Sequence, residues 1–379
     1  MRRLLVLALF FLGGSNHASA QPLDAIDNLF QWVRDLGGEI NMEVRTNPSG
    51  VRGIFATKKV VETGYLASIP ASAILNTGSL NDSFAVPTLT VLRELKDPHS
   101  RFKPYVDMWP KPDGLLNSCN LPEKYIGMWK SAHWEKNQKD WLYYLTALHE
   151  VRAGMLCTSD SSILSILSIL LIAAHTQYTI EEMVGNATVT LDDLKYCCAI
   201  SSTRYVSTAR RRRLLMAPIF DLANHERECL HTISSYETAD FLHVVAGEDV
   251  EEGQEICYSY GSLRDDYAVA HYGFLPALED PPRLALVDHW QFDPESPYSH
   301  DDPPSEEPFE GTPEEMAAEL ARLRDIYTKL VKTPDTLPPT PKGQDYMYDL
   351  LKALEARRLN ALSYEITRLS NVLEVKRDL

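Results

Sequence analysis

Cysteines and basic residues are both scarce in this sequence. Six cysteines are spread over 379 residues, and no two of them form a Cys-x-x-Cys pair. A disulfide-rich scaffold is therefore excluded, and no zinc site is expected. The chain has 37 Lys and Arg against 53 Asp and Glu, which gives a net charge of -16 at pH 7. Because an acidic chain repels phosphate, we do not expect nucleic acid as a partner.

Apolar runs of membrane length are also absent, so no stable membrane span is expected. The N-terminus carries a three-part pattern: Arg2 and Arg3, an apolar stretch at 4–12, and small residues at 18–20. This pattern predicts a secretory signal peptide over residues 1–20. The secretory pathway is therefore the expected location.

The C-terminus adds one detail to this expectation. The last four residues, 376–379, partly resemble a retrieval signal for the lumen of the endoplasmic reticulum, but Arg377 stands where an acid is expected, and a tail of mixed charge explains them better. Two alternatives stay open. The chain reaches a plastid through a secretory route, or it is cytoplasmic if the N-terminal pattern is not a signal.

The length of the chain indicates more than one domain, since 379 residues exceed a single compact core. Apolar residues make up 44% and charged residues 24%, which are ordinary values for globular proteins. Short β-like segments and helical segments both occur, so the predicted fold class is α+β. We predict small β-sheets in residues 21–293 with a helical insertion at about 80–196, an acidic, proline-rich linker at 294–312, and a helical domain at 313–379.

Several local patterns predict individual elements. Apolar residues at helical spacing predict a helix over 24–36, and Pro313 followed by two glutamates predicts a helix start. β-like runs at 241–245 and 256–258 predict strands, and we interpret the run at 283–290 as a further strand.

Two segments echo each other. Residues 59–64 read Lys-Val-Val-Glu-Thr-Gly, and residues 249–253 read Asp-Val-Glu-Glu-Gly. Each is predicted to form a strand that ends in a turn, as expected in a fold made of small β units.

Three segments combine glycine, polar and aromatic residues. The first, at 49–57, has glycines that let a ligand approach the backbone, but it lacks the Gly-x-Gly-x-x-Gly spacing of dinucleotide folds. The second, at 218–225, holds an aspartate, an asparagine and a histidine within five residues. The third, at 255–261, has tyrosines at alternate strand positions and is followed by His-Tyr-Gly-Phe at 271–274. Taken singly, each is better explained by a turn, a helix cap or strand packing.

In this order, the segments together resemble the SET-domain protein methyltransferases, in the branch typified by Rubisco large-subunit lysine methyltransferase. The resemblance covers about residues 23–293, and the helical C-terminus is similar only in type to the substrate-binding domain of that family. Its matching motifs lie at 52–57, 60–70, 104–110, 203–204, 221–225, 253–261 and 272–274. The sequence departs from the family pattern at Gly50, where an acid is common, and near Asp265, where an asparagine is usual. No zinc-binding cysteine cluster follows residue 272.

The resemblance implies an S-adenosylmethionine-dependent enzyme that methylates lysine side chains of a non-histone protein, so a protein substrate is the expected partner. Methyl transfer from a sulfonium requires a neutral nitrogen aligned with the methyl group, and it needs no metal. A free lysine has a pKa of about 10.4, so its amine must lose a proton before it attacks. A narrow apolar channel favours the neutral amine by desolvation.

The resemblance also assigns roles to individual residues. Tyr260 is implied as the catalytic tyrosine, which orients and polarises the acceptor more than it acts as a base. Cofactor contacts are implied for Gly50, Arg52, Arg204, Asn224, His225 and Tyr272. The two residues of the first motif would contribute mainly backbone atoms, and Arg204 would meet the cofactor's carboxylate. Asp221 and Tyr258 are implied on the substrate side.

Two other functions stay open at this point. Some proteins of the same fold methylate histidine, whose imidazole is already largely neutral at pH 7. A non-catalytic SET-like binding module is the second alternative, although the intact tyrosine, asparagine, histidine and arginine of the motifs argue against it. The residues leave the acceptor protein, the degree of methylation and the oligomeric state undetermined.

Overall fold

A computed structural model describes residues 23–46, 51–152, 188–207, 212–226, 233–260, 263–292 and 309–377. The predicted signal peptide, Gly50 and most of the predicted acidic linker lie outside these ranges. No helix within them is long and apolar enough to cross a membrane.

Short strands form three small sheets in the described part of the chain. In chain order the strands are β1 (Glu39–Ile40), β2 (Met42–Thr46), β3 (Arg52–Ala56), β4 (Tyr65–Pro70), β5 (Leu75–Ser79), β6 (Tyr205–Ser207), β7 (Arg213–Met216), β8 (Asn224–His225), β9 (Ile233–Glu237), β10 (Phe241–Ala246) and β11 (Glu255–Tyr258). The sheet orders are β1-β4-β10-β9, β2-β3-β11-β8 and β5-β7-β6. Neighbouring strands are antiparallel except β8 and β11, which are parallel.

Helices surround these sheets. They are α1 (Leu23–Asp35), α2 (Ala85–Lys96), α3 (Lys103–Val106), α4 (Ala132–Arg152), α5 (Leu191–Arg204), α6 (Asp265–Tyr272), α7 (Leu284–Val287), α8 (His289–Phe292), α9 (Pro313–Lys332) and α10 (Tyr346–Arg377). Helices α2 to α5 lie between β5 and β6, and α9 and α10 follow the last strand. Small sheets accompanied by many helices confirm the predicted α+β class.

The first helix confirms the prediction made from its apolar spacing. Ile26, Leu29, Phe30 and Val33 are all buried, so one face of α1 is covered. This face belongs to the largest hydrophobic core, which also contains the inner faces of the sheets. The helix therefore closes one side of the β-rich region.

The two echoing segments contact each other directly. Val60 and Val250 form an antiparallel bridge, with N–H···O distances of 2.9 and 2.8 Å in the two directions. Each segment then turns through a residue with positive φ, Thr63 at 64° in one and Gly253 at 81° in the other. The similar sequences thus form two similar, paired turns, but the strands predicted there are wrong, since Val60 and Val250 form an isolated bridge outside the strands.

A disulfide links two segments of the helical region between β5 and β6. Cys119 and Cys198 are bonded, with their Cα atoms 5.8 Å apart. Nearby, the Asn117 side-chain amide donates to Ser202 Oγ at 3.0 Å. Both contacts fasten the C-terminal half of α5. Cys257 on β11 is also disulfide-bonded.

The C-terminal helices pack together around a separate core, in which Leu323, Leu330 and Leu362 are buried. Helix α9 begins at Pro313, as predicted. Thr312 caps it through a reciprocal pair of bonds: its Oγ1 accepts from the Glu315 N–H at 3.3 Å, and the Glu315 carboxylate accepts from the Thr312 N–H at 2.8 Å. The cap explains why the helix starts there.

The strand predicted at 283–290 is wrong, because the structure has α7 and α8 there. Asp288 lies between the two helices, and its carboxylate accepts from the Gln291 N–H at 3.0 Å. The same carboxylate pairs with Arg358 of α10 at 2.5 Å, and Val287 is buried in the C-terminal core. A short apolar run does not distinguish strand from helix, so these tertiary contacts decide the conformation.

Candidate active site

The candidate site begins where β8 lies beside β11. Their parallel pairing places Asn224 opposite Cys257 and His225 opposite Tyr258. Tyr260 follows directly, and its backbone N–H donates to His225 Nδ1 at 3.1 Å. The Asn-His block and the Tyr-Gly block, which are far apart in sequence, therefore meet at one place.

Tyr260 is held by its hydroxyl as well as by its backbone. Tyr260 Oη donates to the carbonyl oxygen of Ala223 at 2.9 Å. Burial raises the pKa of Tyr260 to about 12, although the positive charge of Arg204 opposes this rise. The phenol is therefore protonated at neutral pH and acts as a hydrogen-bonding group, in agreement with the orienting role expected from the sequence.

Asp221 is placed by an unusual turn. The preceding Ile219 has φ of 74°, a conformation that is strained for a β-branched residue, and a 3-10 turn follows at Phe220–Leu222. The Asp221 side chain is only 3% exposed, and its Oδ2 accepts from Tyr105 Oη at 2.6 Å and from Arg204 Nη1 at 3.0 Å. Strained backbone is thus retained two residues before the aspartate that brings Tyr105 and Arg204 together.

Two buried polar atoms of this cluster lack a partner within the described ranges. They are Arg204 Nε and Asp221 Oδ1. Burial, the largest single influence, lowers the pKa of Arg204, but the Asp221 carboxylate together with Tyr105 and Tyr260 outweighs it, so the net shift is upward. The guanidinium is therefore charged at any physiological pH. Because buried polar atoms are normally bonded, these two atoms indicate a place where a polar ligand belongs.

Arg52 and Asn224 lie on the neighbouring strands β3 and β8. Asn224 Nδ2 donates to the backbone oxygen of Arg52 at 2.7 Å and to Glu255 Oε1 at 3.3 Å. Gly53 leaves room for these contacts, since a Cβ there would lie 2.2 Å from Glu255 Oε1 and 3.3 Å from Asn224 Nδ2. Burial and the charge of Arg204 lower the pKa of Arg52. Two arginines therefore share the vicinity of one aspartate.

Aromatic rings surround Tyr260. Its ring centroid lies 5.1 Å from that of Tyr272, 5.7 Å from that of Tyr258 and 5.1 Å from that of His225. Phe220 packs edge-on against Tyr258 at 4.9 Å. Burial raises the pKa of Tyr258 and of Tyr272, so both phenols are neutral at pH 7. The result is an uncharged aromatic wall beside a charged cluster.

A cavity of about 810 Å³ adjoins this wall. Its volume is typical of small-molecule sites in proteins. The predicted site residues on its surface are Arg204, Asp221, Tyr258, Tyr260 and Tyr272. Phe84 and Trp141 from the helical region line its other side, and their rings contact each other edge-on at 5.1 Å.

Sequence profiles of known families identify the chain at this point. The profile of the SET domain matches residues 51–261, which is more than half of the sequence. The chain belongs to the SET-domain family. The matched range contains the Asn-His block and the catalytic tyrosine implied by the motifs, so the resemblance argued from those motifs is confirmed.

Two curated relatives carry the same domain. The N-lysine methyltransferase SETD6 of Mus musculus is 26% identical over 276 residues, which cover 66% of this chain and 54% of that protein. The protein of that name from Rattus norvegicus is 25% identical over 276 residues, with the same two shares. The chain therefore spans about half the length of the curated relatives it matches.

Solved structures share the fold. The SET domain of LSMT bound to lysine and AdoHcy superposes with a TM-score of 0.59 at 14% identity, covering 92% of this chain and 91% of that one. Rubisco LSMT bound to AdoMet superposes with a TM-score of 0.57 at 13% identity, covering 92% of each chain. At this identity the likeness establishes the SET fold, including the helical C-terminal region.

Most of the predicted site residues meet in this SET domain. Arg52, Asn224 and His225 lie beside the cavity rather than on its surface, and Gly50 lies outside the described residues. Asn224 is expected to contact the cofactor, and in the structure its amide nitrogen binds two groups of the protein itself. It therefore also holds β3 and β11 in place.

Sequence reasoning missed Tyr105 as a site residue. The tyrosine lies in the motif at 104–110, but its partner Asp221 is 116 residues further along the chain. No local spacing connects the two, so only the presence of that motif among the matching segments pointed to this region.

Asp265, where the sequence departs from the family pattern, has a structural role. Its buried carboxylate pairs with Arg357 of α10 at 3.0 Å.

Proposed function

We propose that this SET-domain protein is an S-adenosylmethionine-dependent protein-lysine N-methyltransferase. The observation that carries the proposal is the position of Tyr260, whose hydroxyl bonds to the Ala223 carbonyl on the surface of a cavity that Asp221 also lines. The names of the curated relatives and the ligands in the solved structures support it.

The charged groups of the site fit S-adenosylmethionine. Its carboxylate matches Arg204, whose buried Nε lacks a partner in the described chain, and Arg52, whose guanidinium forms no ion pair there. His225 and Tyr272 would complete the pocket through polar and aromatic contacts. When bound, the cofactor supplies an electrophilic methyl group. The residues present therefore suit this ligand without help from a metal-binding cluster.

The acceptor amine must be bound first and must then become neutral. The Asp221 carboxylate attracts an ammonium group, which favours binding but also raises the pKa of the amine. Arg204 pairs with that carboxylate at 3.0 Å, so its positive charge limits this rise. The rings of Tyr258 and Tyr272 desolvate the amine and favour its neutral form. The charge of Arg204 and the desolvation by the rings both favour loss of the proton, which passes to solvent water, and leave the nitrogen lone pair for attack.

Tyr260 orients the neutral amine. Because its hydroxyl hydrogen is directed to the Ala223 carbonyl, the lone pairs of Oη are left to accept an N–H from the acceptor. A phenol whose pKa is raised to about 12 does not serve as a general base at pH 7. Its contribution is therefore the alignment of the nitrogen, as in-line displacement requires.

The test is transfer of a labelled methyl group from S-adenosylmethionine into a cell lysate, followed by identification of the modified residue by mass spectrometry. Methyl-lysine in the acceptor supports the proposal, and methyl-histidine replaces it with the histidine alternative. Calorimetry with S-adenosylmethionine tests the non-catalytic alternative. A folded chain that neither transfers methyl nor binds the cofactor supports a binding module. The Tyr260→Phe variant is the control for transfer by contaminating enzymes.

We further propose that the acceptor is a non-histone protein. The fold neighbour named for Rubisco supports this by analogy, which is a fold-level argument. The test compares two acceptors in the same assay, purified core histones and the proteins of the lysate. Preferential labelling of histones would reject the proposal.

We also propose that the protein works in an oxidising compartment of the secretory pathway. The leader pattern at 1–20 suggests export, and the disulfide between Cys119 and Cys198 suits a compartment in which disulfides persist. N-terminal sequencing of protein from its native source, together with mass spectrometry under non-reducing conditions, tests both points. An intact Met1 with reduced Cys119 and Cys198 would reject the proposal in favour of a cytoplasmic location.

A further inference from the structure

Tyr105 connects the helical region between β5 and β6 to the candidate active site. It lies on α3, is 1% exposed, and donates from Oη to Asp221 Oδ2 at 2.6 Å. Its ring packs edge-on against Trp109 at 5.8 Å, and Trp109 is itself buried. A tyrosine fixed on both sides in this way can hold its partner in one orientation.

The Asp221 carboxylate is bound asymmetrically. Tyr105 and Arg204 both donate to Oδ2, at 2.6 and 3.0 Å. Oδ1 is buried and receives no hydrogen bond from the described residues. Because a carboxylate has acceptor sites on both oxygens, one oxygen is anchored by the protein and the other is left for a donor that arrives with a ligand. Asp221 lines the cavity, which is where such a donor would enter.

The tyrosine remains a donor at every relevant pH. Burial, together with the adjacent Asp221 charge, raises the pKa of Tyr105 well above its ordinary value. Tyr105 therefore stays the hydrogen-bond donor and Asp221 the acceptor. Any influence of Tyr105 on the reaction acts through Asp221.

We propose that Tyr105 is a positioning residue: its hydroxyl anchors Asp221 Oδ2 and thereby keeps Oδ1 available for the cationic side chain of the acceptor. The inference rests on the proposed function. It gives the helical region a direct part in acceptor binding, because the SET core supplies the carboxylate while an inserted helix sets its orientation. Cofactor binding should not depend on Tyr105, since its hydroxyl donates to Asp221 and its other hydrogen-bond partner is Trp109 of the helical region.

Tyr105→Phe removes this one oxygen and keeps the ring. Tyr196→Phe is a matched control, because Tyr196 is also buried in the helical region and its hydroxyl donates to the Pro110 carbonyl at 2.8 Å, away from Asp221. If both variants loosen the region, both should lose thermal stability to a similar degree. Their affinities for the ligand should differ only if the hydrogen bond from Tyr105 to Asp221 contributes to binding.

The first measurement is binding of Nα-acetyl-L-lysine methylamide in the presence of S-adenosylhomocysteine, by calorimetry on the full chain. The neutral norleucine analogue is the reference ligand. We expect the wild type and Tyr196→Phe to prefer the lysine probe, and Tyr105→Phe to lose about tenfold in affinity for it, as for one hydrogen bond to a charged group. Affinity for S-adenosylhomocysteine should stay within about twofold in all three proteins. A wild type without preference for the lysine probe, or an unchanged Tyr105→Phe, would overturn the inference.

The second measurement is a double-mutant cycle with Asp221→Asn, which removes the carboxylate charge. If Tyr105 acts through Asp221, adding Tyr105→Phe to Asp221→Asn should change probe affinity by less than about twofold. A tenfold loss in both backgrounds would show that Tyr105 acts independently and would reject the positioning role. The proposed function is tested separately by labelled-methyl transfer, so a wild type that binds the probe but transfers no methyl fails that proposal and leaves this inference standing.

Discussion

Tyr260 and Ala223 are joined by a hydrogen bond of 2.9 Å from the phenol to the backbone carbonyl, across 37 residues of sequence. The parallel pairing of β8 with β11 brings the two segments side by side, and the Tyr260 hydroxyl reaches back from beyond the end of β11 to the residue that precedes β8. It fixes the ring in the aromatic wall and sets the direction of the hydroxyl. The catalytic proposal depends on this single contact more than on any other.

Replacing Tyr260 with phenylalanine should slow methyl transfer by roughly 10²–10³, the cost of losing one preorganised group at a reacting centre. Cofactor affinity should move little, because the hydroxyl acts mainly during transfer. Single-turnover rate and cofactor affinity measured on the same variant check this. Wild-type turnover in a folded Tyr260→Phe protein would end the catalytic assignment, whatever its effect on stability.

Asn224→Ala should lose cofactor affinity and also some stability. Its amide binds the Arg52 carbonyl at 2.7 Å, and loss of that bond leaves a part-buried acceptor, at a cost of about 1–3 kcal/mol. Calorimetry with S-adenosylmethionine and urea unfolding measure the two effects. Asn76→Ala is the control, since the Asn76 side chain is exposed and, among the described residues, bonds only to the neighbouring Gly78 N–H at 3.1 Å. A stable variant with unchanged cofactor affinity would contradict the assignment.

Gly273→Ala should destabilise the fold by more than the strain of its backbone alone. Gly273 ends α6 with φ of 71°, and a Cβ there would lie 2.0 Å from the Leu116 carbonyl oxygen. Gly343 has a similar φ of 83°, but nothing lies within 4 Å of its Cβ position. Gly343→Ala should therefore cost about 1–2 kcal/mol, and Gly273→Ala clearly more. Equal unfolding midpoints in urea for the two variants would refute this.

The pH dependence of stability should carry a contribution from Asp288. Burial raises its pKa to about 7, with Arg358 opposing the rise and Asp266 adding to it. An unfolded aspartate has a pKa of about 3.9, so the folded state binds the extra proton between these values. The stabilising contribution is therefore full below about pH 4 and is lost as the pH rises through about 7. Asp288→Asn should flatten this part of the curve.

Urea midpoints measured from pH 4 to 8 on the wild type and Asp288→Asn check this prediction. The two curves should diverge by more than about 1 kcal/mol over this range, with the wild type falling more steeply. Parallel curves would mean that Asp288 is ionised in the folded state and that its pair with Arg358 outweighs its burial.

Local signals explain why several elements were predictable. The apolar face of α1, the proline and glutamates at the start of α9, and the β-like run of β10 each depend on neighbours within a few residues. The candidate site residues were selected for a different reason. Their order along the chain matches a family pattern, and the SET-domain match confirms that pattern.

Contacts between distant segments explain what was missed. The helices α7 and α8 replaced a predicted strand because Asp288 meets Arg358 of α10. Tyr105 escaped notice because its partner is 116 residues away, and the disulfide joins Cys119 to a cysteine 79 residues further on. No property of these residues in isolation selects their partners.

The sequence by itself determined the fold class and the family and named the candidate site residues, because composition, periodicity and motif order are properties of the chain alone. Only the tertiary structure decided how those residues act. It directed the Tyr260 hydroxyl to Ala223, engaged the Asn224 amide within the protein, and bound Asp221, as far as the described residues go, on one oxygen. The physical reason is that orientation, burial and hydrogen-bond partners arise where separate strands and helices pack, and these set which atoms of a side chain remain for a ligand.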